Sequence, residues 1–224
     1  MIDLQPFWVT LKLALVTTTI LLIISIPVAN WLTYKKSRIK TIIETIISMP
    51  LVLPPTVLGF YLLLAFGPSH WLGKFLENYF DVRLVFSFPG LVVASVIYSL
   101  PFMVHPLQSG LSSLPATLKE ASFSLGKNKW QTLFKVLLPN IKPSLLTGIV
   151  LSFAHTIGEF GVVLMIGGNI PGQTRVASIA IYDEVESLNY HSANIYAAIL
   201  FVVTFIILLT VFSINRSFIR AKQL

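Results

Sequence analysis

Few residues in this sequence could carry chemistry, and they lie in apolar surroundings. His155 and Glu159 are four apart, so a helix there places both on one face. The pair could hold a proton or a metal ion. Two ligands without a third are too few for a metal centre, and helix packing or pore lining suits the pair better. Lys12 is the other charge within an apolar run. A charge at the bilayer centre costs about 2.5–3.5 kcal/mol on insertion scales. Lys12 and Glu159 fall at similar depths, so a Lys12–Glu159 pair is one expectation and snorkelling of Lys12 to the headgroups is the other. Ser109-Gly110 and His155 could form a serine–histidine dyad. However, Ser109 falls at the edge of its apolar segment, His155 in the middle of another, and neither G-x-S-x-G nor H-E-x-x-H occurs. The phosphate-loop pattern G-x-x-x-x-G-K-[ST] is absent too. The nearest run, Leu125-Gly126-Lys127-Asn128, lacks the first glycine and the hydroxyl residue that would hold magnesium. With no cysteine there is no disulfide, thiolate metal site or cysteine nucleophile.

The elements that must position these residues follow from composition. Of 224 residues, 55 % are hydrophobic and 11 % charged, where a soluble domain carries roughly a quarter charged. Apolar runs long enough to cross a bilayer recur at about 7–33, 42–66, 88–107, 145–167 and 195–214. The expected fold is an all-α integral membrane protein of about five transmembrane helices, forming one domain over 1–224. Strands of an outer-membrane barrel would alternate instead. The first run is too long for a cleaved signal peptide, and Asp3 stands where such a peptide carries positive charge.

Lysine and arginine set the orientation. Lys35, Lys36, Arg38, Lys40, Lys119, Lys127, Lys129, Lys135, Lys142, Arg216, Arg220 and Lys222 fall on one side. Lys74, Arg83 and Arg175 fall on the other, among six acidic residues. The first side is expected to be cytoplasmic, with the N-terminus outside and the C-terminus inside. The net charge of +7 is then mostly a topology signal. No basic stretch is interleaved with stacking aromatics, so nucleic acid is not an expected partner.

The loop at about 108–140 carries the most specific pattern. Leu118, Ala121 and Leu125 share one helical face, and Trp130, Leu133, Phe134 and Leu137 share another. Gly126 between them can end a helix in a left-handed cap, and Pro139 stops the second helix. Two short amphipathic helices at the membrane surface could lie on headgroups or present an apolar face to a partner.

The spacing Glu120-Ala121-Ser122, Gly126, Val136, Leu138-Pro139 resembles the EAA motif of ABC-importer permeases. That pattern is Glu-Ala-Ala, three residues, Gly, nine residues, Ile, one residue, Leu-Pro. Here Ser122 replaces the second alanine and Val136 the isoleucine. The resemblance implies a coupling element, formed by these seven residues, that docks on a separate ABC ATPase dimer, with ATP and Mg bound there and no cofactor on this chain. It implies a type I importer arrangement in the plasma or inner membrane, a permease homodimer, and an extracytoplasmic oxyanion-binding protein as a further partner.

Three further stretches, Met49 to Tyr61, Tyr98 to Gln108, and Gly158 to Val185, look like molybdate-type permeases, and the similarity runs from the first helix to the fifth. Molybdate, with tungstate close to it in charge and size, is the implied cargo; a sulfate or thiosulfate permease is the alternative. The same resemblance implies a pathway role for Pro54, Pro55 and Thr56 in helix two. Glu159 reads as structural or gating, since a carboxylate would repel an anion. Pro101 and Pro106 could hinge helix three. Arg175, Tyr182, Asp183 and Glu184 are candidates for contacting the binding protein, or form a solvated patch. Asn30, Gln108 and Thr17 to Thr19 are expected to bond between helices.

Overall fold

The structure, a computed structural model, describes residues 3–35 and 37–220. Lys36 and Lys222, counted in the charge asymmetry, lie outside the described residues, as do the side chains of Arg216 and Arg220. In chain order the helices are α1 (Gln5–Tyr34), α2 (Arg38–Ser48, extended by a 3-10 turn at Met49–Leu51), α3 (Pro55–Phe66), α4 (Trp71–Phe80), α5 (Phe88–Ser112), α6 (Ala116–Ser124), α7 (Lys129–Thr132), a π-helical turn (Leu133–Leu137), α8 (Leu138–Asn140), α9 (Lys142–Ile157), α10 (Gly161–Gly167), α11 (Ala177–Glu186) and α12 (Tyr190–Arg220). No strand occurs among the described residues.

Three helices, α1, α5 and α12, are long and apolar enough to cross a bilayer alone. Two bent pairs raise the number to as many as five if each pair is one span. Arg38–Leu51 meets Pro55–Phe66 at 113°, and Lys129–Asn140 meets Lys142–Ile157 at 83°. The first bend has a covalent cause. A residue before proline is pushed out of the α region. Leu53 precedes Pro54 and Pro54 precedes Pro55, so Pro54 is extended (φ −55°, ψ 135°) while Pro55 starts α3 at a position where its missing N–H costs nothing.

The fourth apolar segment is not one helix. It breaks after Ile157, and α10 begins at Gly161, so Glu159 lies in a non-helical gap rather than on a continuous helix face. Conversely, α5 runs through Pro101 and Pro106 without a break in the helix. Pro101, Met103, Val104 and Leu107 are buried around those prolines. Neighbouring helices hold the backbone in place where two hydrogen bonds are missing.

The core lies where α1 and α5 pack on each other and on α9 and α10. One cluster, nearer the lysine-rich face, gathers Leu21, Leu32, Met103, Leu107, Leu133 and Leu137. The other, nearer the opposite face, gathers Leu13, Leu91, Val162, Val163, Ile166 and Ile179. Thr10 accepts from the Ala177 N–H at 2.8 Å and donates to the Pro6 carbonyl, which pins the start of α11 to α1. By contrast, only 11 % of the apolar window of α12 is buried, against 56 % for α5, so α12 stands at the edge with an apolar side free for lipid.

Candidate functional site

Two places in the fold could do work: the gap around Glu159 and the loop from α6 to α8.

The gap is held on both sides. Ser95 of α5 donates to Glu159 Oε2 at 2.7 Å. Ser178 of α11 donates to the Glu159 backbone carbonyl at 2.6 Å. Glu159 is buried, and its Oε1 has no partner among the described residues. Lys12 does not pair with it. Its ammonium sits 4.6 Å from the Phe88 ring centroid, a cation–π contact that gives the charge a partner on α5.

A cavity of about 410 Å³ opens beside the gap, lined by Pro55, Thr56, Tyr98, His155, Glu159 and Gly161 among others. Thus Pro55, Thr56 and Glu159, far apart in sequence, reach one space. Pro54 supplies the turn just before it. The two helix breaks touch here. A Cβ on Gly161 would lie 2.9 Å from Pro55 Cβ and 3.2 Å from the Thr56 nitrogen, so only glycine lets α10 approach α3 this closely.

His155 is the residue whose place the sequence left least defined. Its ring stacks on Phe102 (centroids 4.0 Å apart) and packs against Tyr98 at 4.7 Å. Its Nδ1 is 3.0 Å from Ser99 Oγ, which is fully buried and also contacts Thr156. The serine beside His155 is therefore Ser99, not Ser109, and burial keeps Ser99 from acting as a nucleophile. Tyr98, Ser95 and Gly161 were not singled out from sequence. The Tyr98-Ser99 and Gly158-Glu159-Phe160-Gly161 runs are the signal for two of them, and Ser95 has none in its neighbours.

The loop is built from local bonds. In α6, Lys127 N–H reaches Ser122 O and Gly126 N–H reaches Phe123 O, the Schellman pair, with Gly126 at φ +76°. Asn128 and Gln131 then form a capping box that starts α7. Ser122 and Thr132, both buried, hydrogen-bond at 2.9 Å and tie the two helices together. Pro139 lacks an N–H, and in an α-helix its ring would collide with the carbonyl of Lys135. The chain answers with the π turn at Leu133–Leu137, where Leu138 N–H reaches back to Leu133 O. The Asn140 side chain bonds the Val136 carbonyl at 2.7 Å.

Leu133, Leu137 and Leu138 face the core. Glu120, Ala121, Leu125, Trp130, Phe134 and Pro139 are exposed, and Val136 is half-buried. The face expected from Trp130 to Leu137 is thus split: the leucines anchor the loop and the aromatics remain outside.

On the opposite face, the four candidate contact residues are partly spent within the chain. Arg175 Nη2 lies 3.0 Å from Asp183 Oδ2, and Asn169 donates to both Asp183 oxygens at 3.0 Å. Glu184 accepts from Asn189 at 2.7 Å. Tyr182 donates to Glu186, which holds its phenol above the ordinary value, and its ring packs 5.0 Å from Phe160 beside the gap. Of the other expected bonds between helices, Gln108 does reach Glu44 of α2, whereas Thr19 bonds within α1 to Leu15.

The comparisons with known proteins fit this architecture. The chain is 44 % identical over 214 residues to the molybdenum transport system permease protein ModB of Azotobacter vinelandii, covering 96 % of this chain and 95 % of that one. It is 36 % identical over 166 residues to the sulfate transport system permease protein CysT of Escherichia coli (strain K12), covering 74 % of this chain and 58 % of that one. Its fold is shared with a bacterial ABC transporter involved in import of the acidic polysaccharide alginate, at TM-score 0.79 and 17 % identity over 96 % of this chain and 79 % of that one. Residues 10–221 match the family described as binding-protein-dependent transport system inner membrane component, and the chain belongs to that family of ABC-transporter permease subunits.

Proposed function

We propose that this chain is the pore-forming subunit of an ATP-driven importer for molybdate, with tungstate sharing the route. The observation that carries this reading is the 44 % identity to a molybdenum permease over nearly the full length of both chains. The sulfate relative is less similar and aligns with less of the chain.

In this reading the lysine-rich face is cytoplasmic. The loop from α6 to α8 docks a dimer of ATPase subunits, which bind ATP and Mg, through Glu120, Ala121, Leu125, Trp130 and Phe134. An apolar patch held by leucine anchors is the surface such a partner would cover. Two copies of this chain pair around the pathway, and a binding protein delivers the oxyanion to the opposite face near α11.

The cavity at the two breaks lies along that pathway. Besides Glu159, its polar side chains are the Thr56 hydroxyl, the Tyr98 phenol and the imidazole of His155, which can present an N–H to a passing oxyanion. Glu159 holds the break between α5 and α11, and does not bind cargo. Motion of the cytoplasmic loop reaches the cavity because α9 joins the two directly.

The test is uptake of labelled molybdate into cells lacking this chain, with and without its return. Restored uptake blocked by excess tungstate and not by excess sulfate is expected. Strong block by sulfate would instead assign the chain to the sulfate class. No restoration, with the protein present in the membrane, would refute molybdate as cargo.

A further inference from the structure

Beside the loop, at the end of α1, lies a second kind of cavity, of about 420 Å³. Lys35 from the end of α1, Lys119 from α6 and Lys129 from α7 all line it. No aspartate or glutamate does. None of the three ammonium groups pairs with a carboxylate among the described residues, where the ion pairs are Lys40–Glu44 and Arg175–Asp183.

Aromatic rings set two of these lysines in place. Lys119 Nζ lies 3.8 Å from the Tyr34 ring centroid and 5.9 Å from that of Phe123. Lys35 Nζ lies 5.7 Å from the Trp31 ring. Tyr34 is itself fixed, since its hydroxyl donates to the Leu111 carbonyl at 3.3 Å. Ring faces stabilise the cations but do not cancel their mutual repulsion. Three like charges around one hollow, from three separate elements, make it a favourable place for an anion.

We propose that this cavity binds a phosphate-class tetrahedral oxyanion, supplied by the headgroup of an anionic lipid or by a free anion in solution. Ammonium groups give such a ligand charge-assisted hydrogen bonds, and Trp31 and Tyr34 are the ring types that sit at headgroup depth. Basic pockets between helices on the cytoplasmic side are where anionic headgroups lodge. One wall of the cavity belongs to a spanning helix and the other to the loop, so a bound anion ties the loop to the membrane. Its regulatory consequence, an ATPase coupling that depends on the anion, rests on the function proposed above; the site itself does not.

The experiment uses the full chain purified in neutral detergent. Tryptophan fluorescence is followed during titration with phosphatidylglycerol, with phosphatidylcholine, and with inorganic phosphate at matched ionic strength. Trp31→Phe identifies the signal from the cavity wall. Phosphatidylglycerol or inorganic phosphate is expected to saturate the signal, and phosphatidylcholine to leave it flat. A lysine near an anionic surface contributes about 1 kcal/mol, so Lys119→Gln is expected to weaken the midpoint about fivefold and Lys119→Gln with Lys129→Gln about 25-fold. Lys119→Arg keeps the charge and is expected to keep binding. Saturation by phosphatidylglycerol alone names the lipid as source, and saturation by inorganic phosphate names the free anion.

Absence of any titration, or titration of the glutamine variants like the parent, overturns the site. So does a loss of ATPase stimulation in those variants with anion binding unchanged, which would give the lysines to the ATPase. The orientation is checked separately. The chain has no cysteine, so Ser124→Cys is a single label site, and labelling it in sealed cells reports the side without touching the binding result.

Discussion

The loop and the cavity at the helix breaks differ in how they are made. The loop is assembled from residues within about one helical hairpin of each other: Gly126 caps α6, Asn128 starts α7, and Ser122 meets Thr132 ten residues on. The cavity is assembled from three distant stretches, around residues 55, 98 and 159. A local device can be carried by a motif. A non-local one depends on how closely helices approach, and there single atoms of side chain decide. Substitutions in the cavity should therefore cost more, and disturb the whole bundle more, than substitutions in the loop.

Gly161 offers the hardest test. Its missing Cβ lets α10 lie against Pro55 and Thr56, and the atoms it would meet include backbone, which cannot swing away. Overpacking of this kind costs about 1–3 kcal/mol and sometimes more. Gly161→Leu is expected to abolish uptake and lower the melting temperature in detergent, with Gly161→Ala intermediate. Normal uptake by Gly161→Leu would break the claim that the two breaks touch.

Ser95 comes next. Removing its hydroxyl leaves both Glu159 oxygens without a side-chain partner among the described residues. An orphaned buried acceptor costs about 1–3 kcal/mol. Ser95→Ala is expected to lower stability by that amount and to reduce uptake. Glu159→Gln keeps an oxygen that can accept from Ser95, so it should cost less. The reverse order, measured by thermal unfolding, would mean that the charge of Glu159 matters more than its hydrogen bond.

In the loop the expected effects are smaller and confined. Gly126 sits at φ +76° with open space around the position where a Cβ would go. Gly126→Ala then pays only for the left-handed backbone, about 1–2 kcal/mol. ATPase stimulation should fall while the melting of the membrane bundle stays put. Ser122 and Thr132 are smaller again. A double-mutant cycle of Ser122→Ala and Thr132→Val should return a coupling of about 0.5–1.5 kcal/mol. A coupling near zero would mean that the packing of the two helices, and not their hydroxyl pair, sets the loop.

The same contrast explains what could be read without coordinates. The apolar runs were legible because apolar length is a property of consecutive residues, and the structure places three long spanning helices on them, or up to five spans if each bent pair is one. So were the Gly126 cap and the bend at Pro54-Pro55, whose causes lie in adjacent peptide units. The gap at Glu159 was not. The run from Leu145 to Gly167 is apolar enough for one helix, and its interruption depends on Ser95 and Ser178 capturing Glu159 from other elements. Nor could the prolines of α5 be ranked. Pro101 and Pro106 resemble Pro54 in type, yet α5 continues through both while a second adjacent proline breaks the 38–66 segment. The Arg175–Asp183 pair was visible as two charges, but that Arg175 reaches Asp183 depends on how the turn before α11 folds back on that helix.

The smallest effect is expected at Tyr182, and it bears on how α11 is joined to the cavity. Tyr182 donates to Glu186, and that carboxylate raises the phenol above its ordinary value near 10. The protonated phenol is the bonded form. The contact is therefore complete at neutral pH and is lost only as pH climbs through the raised value. In ultraviolet difference spectra between the parent and Tyr182→Phe, the missing phenol should titrate above the ordinary range, and Glu186→Gln should bring it down. Uptake at neutral pH should barely change in Tyr182→Phe, because the ring that packs on Phe160 remains. The link from α11 to the gap then rests on the Ser178 hydroxyl and the Glu159 carbonyl. If Tyr182→Phe nevertheless slowed uptake, the phenol itself, and not that backbone bond, would be what passes movement of α11 to the cavity.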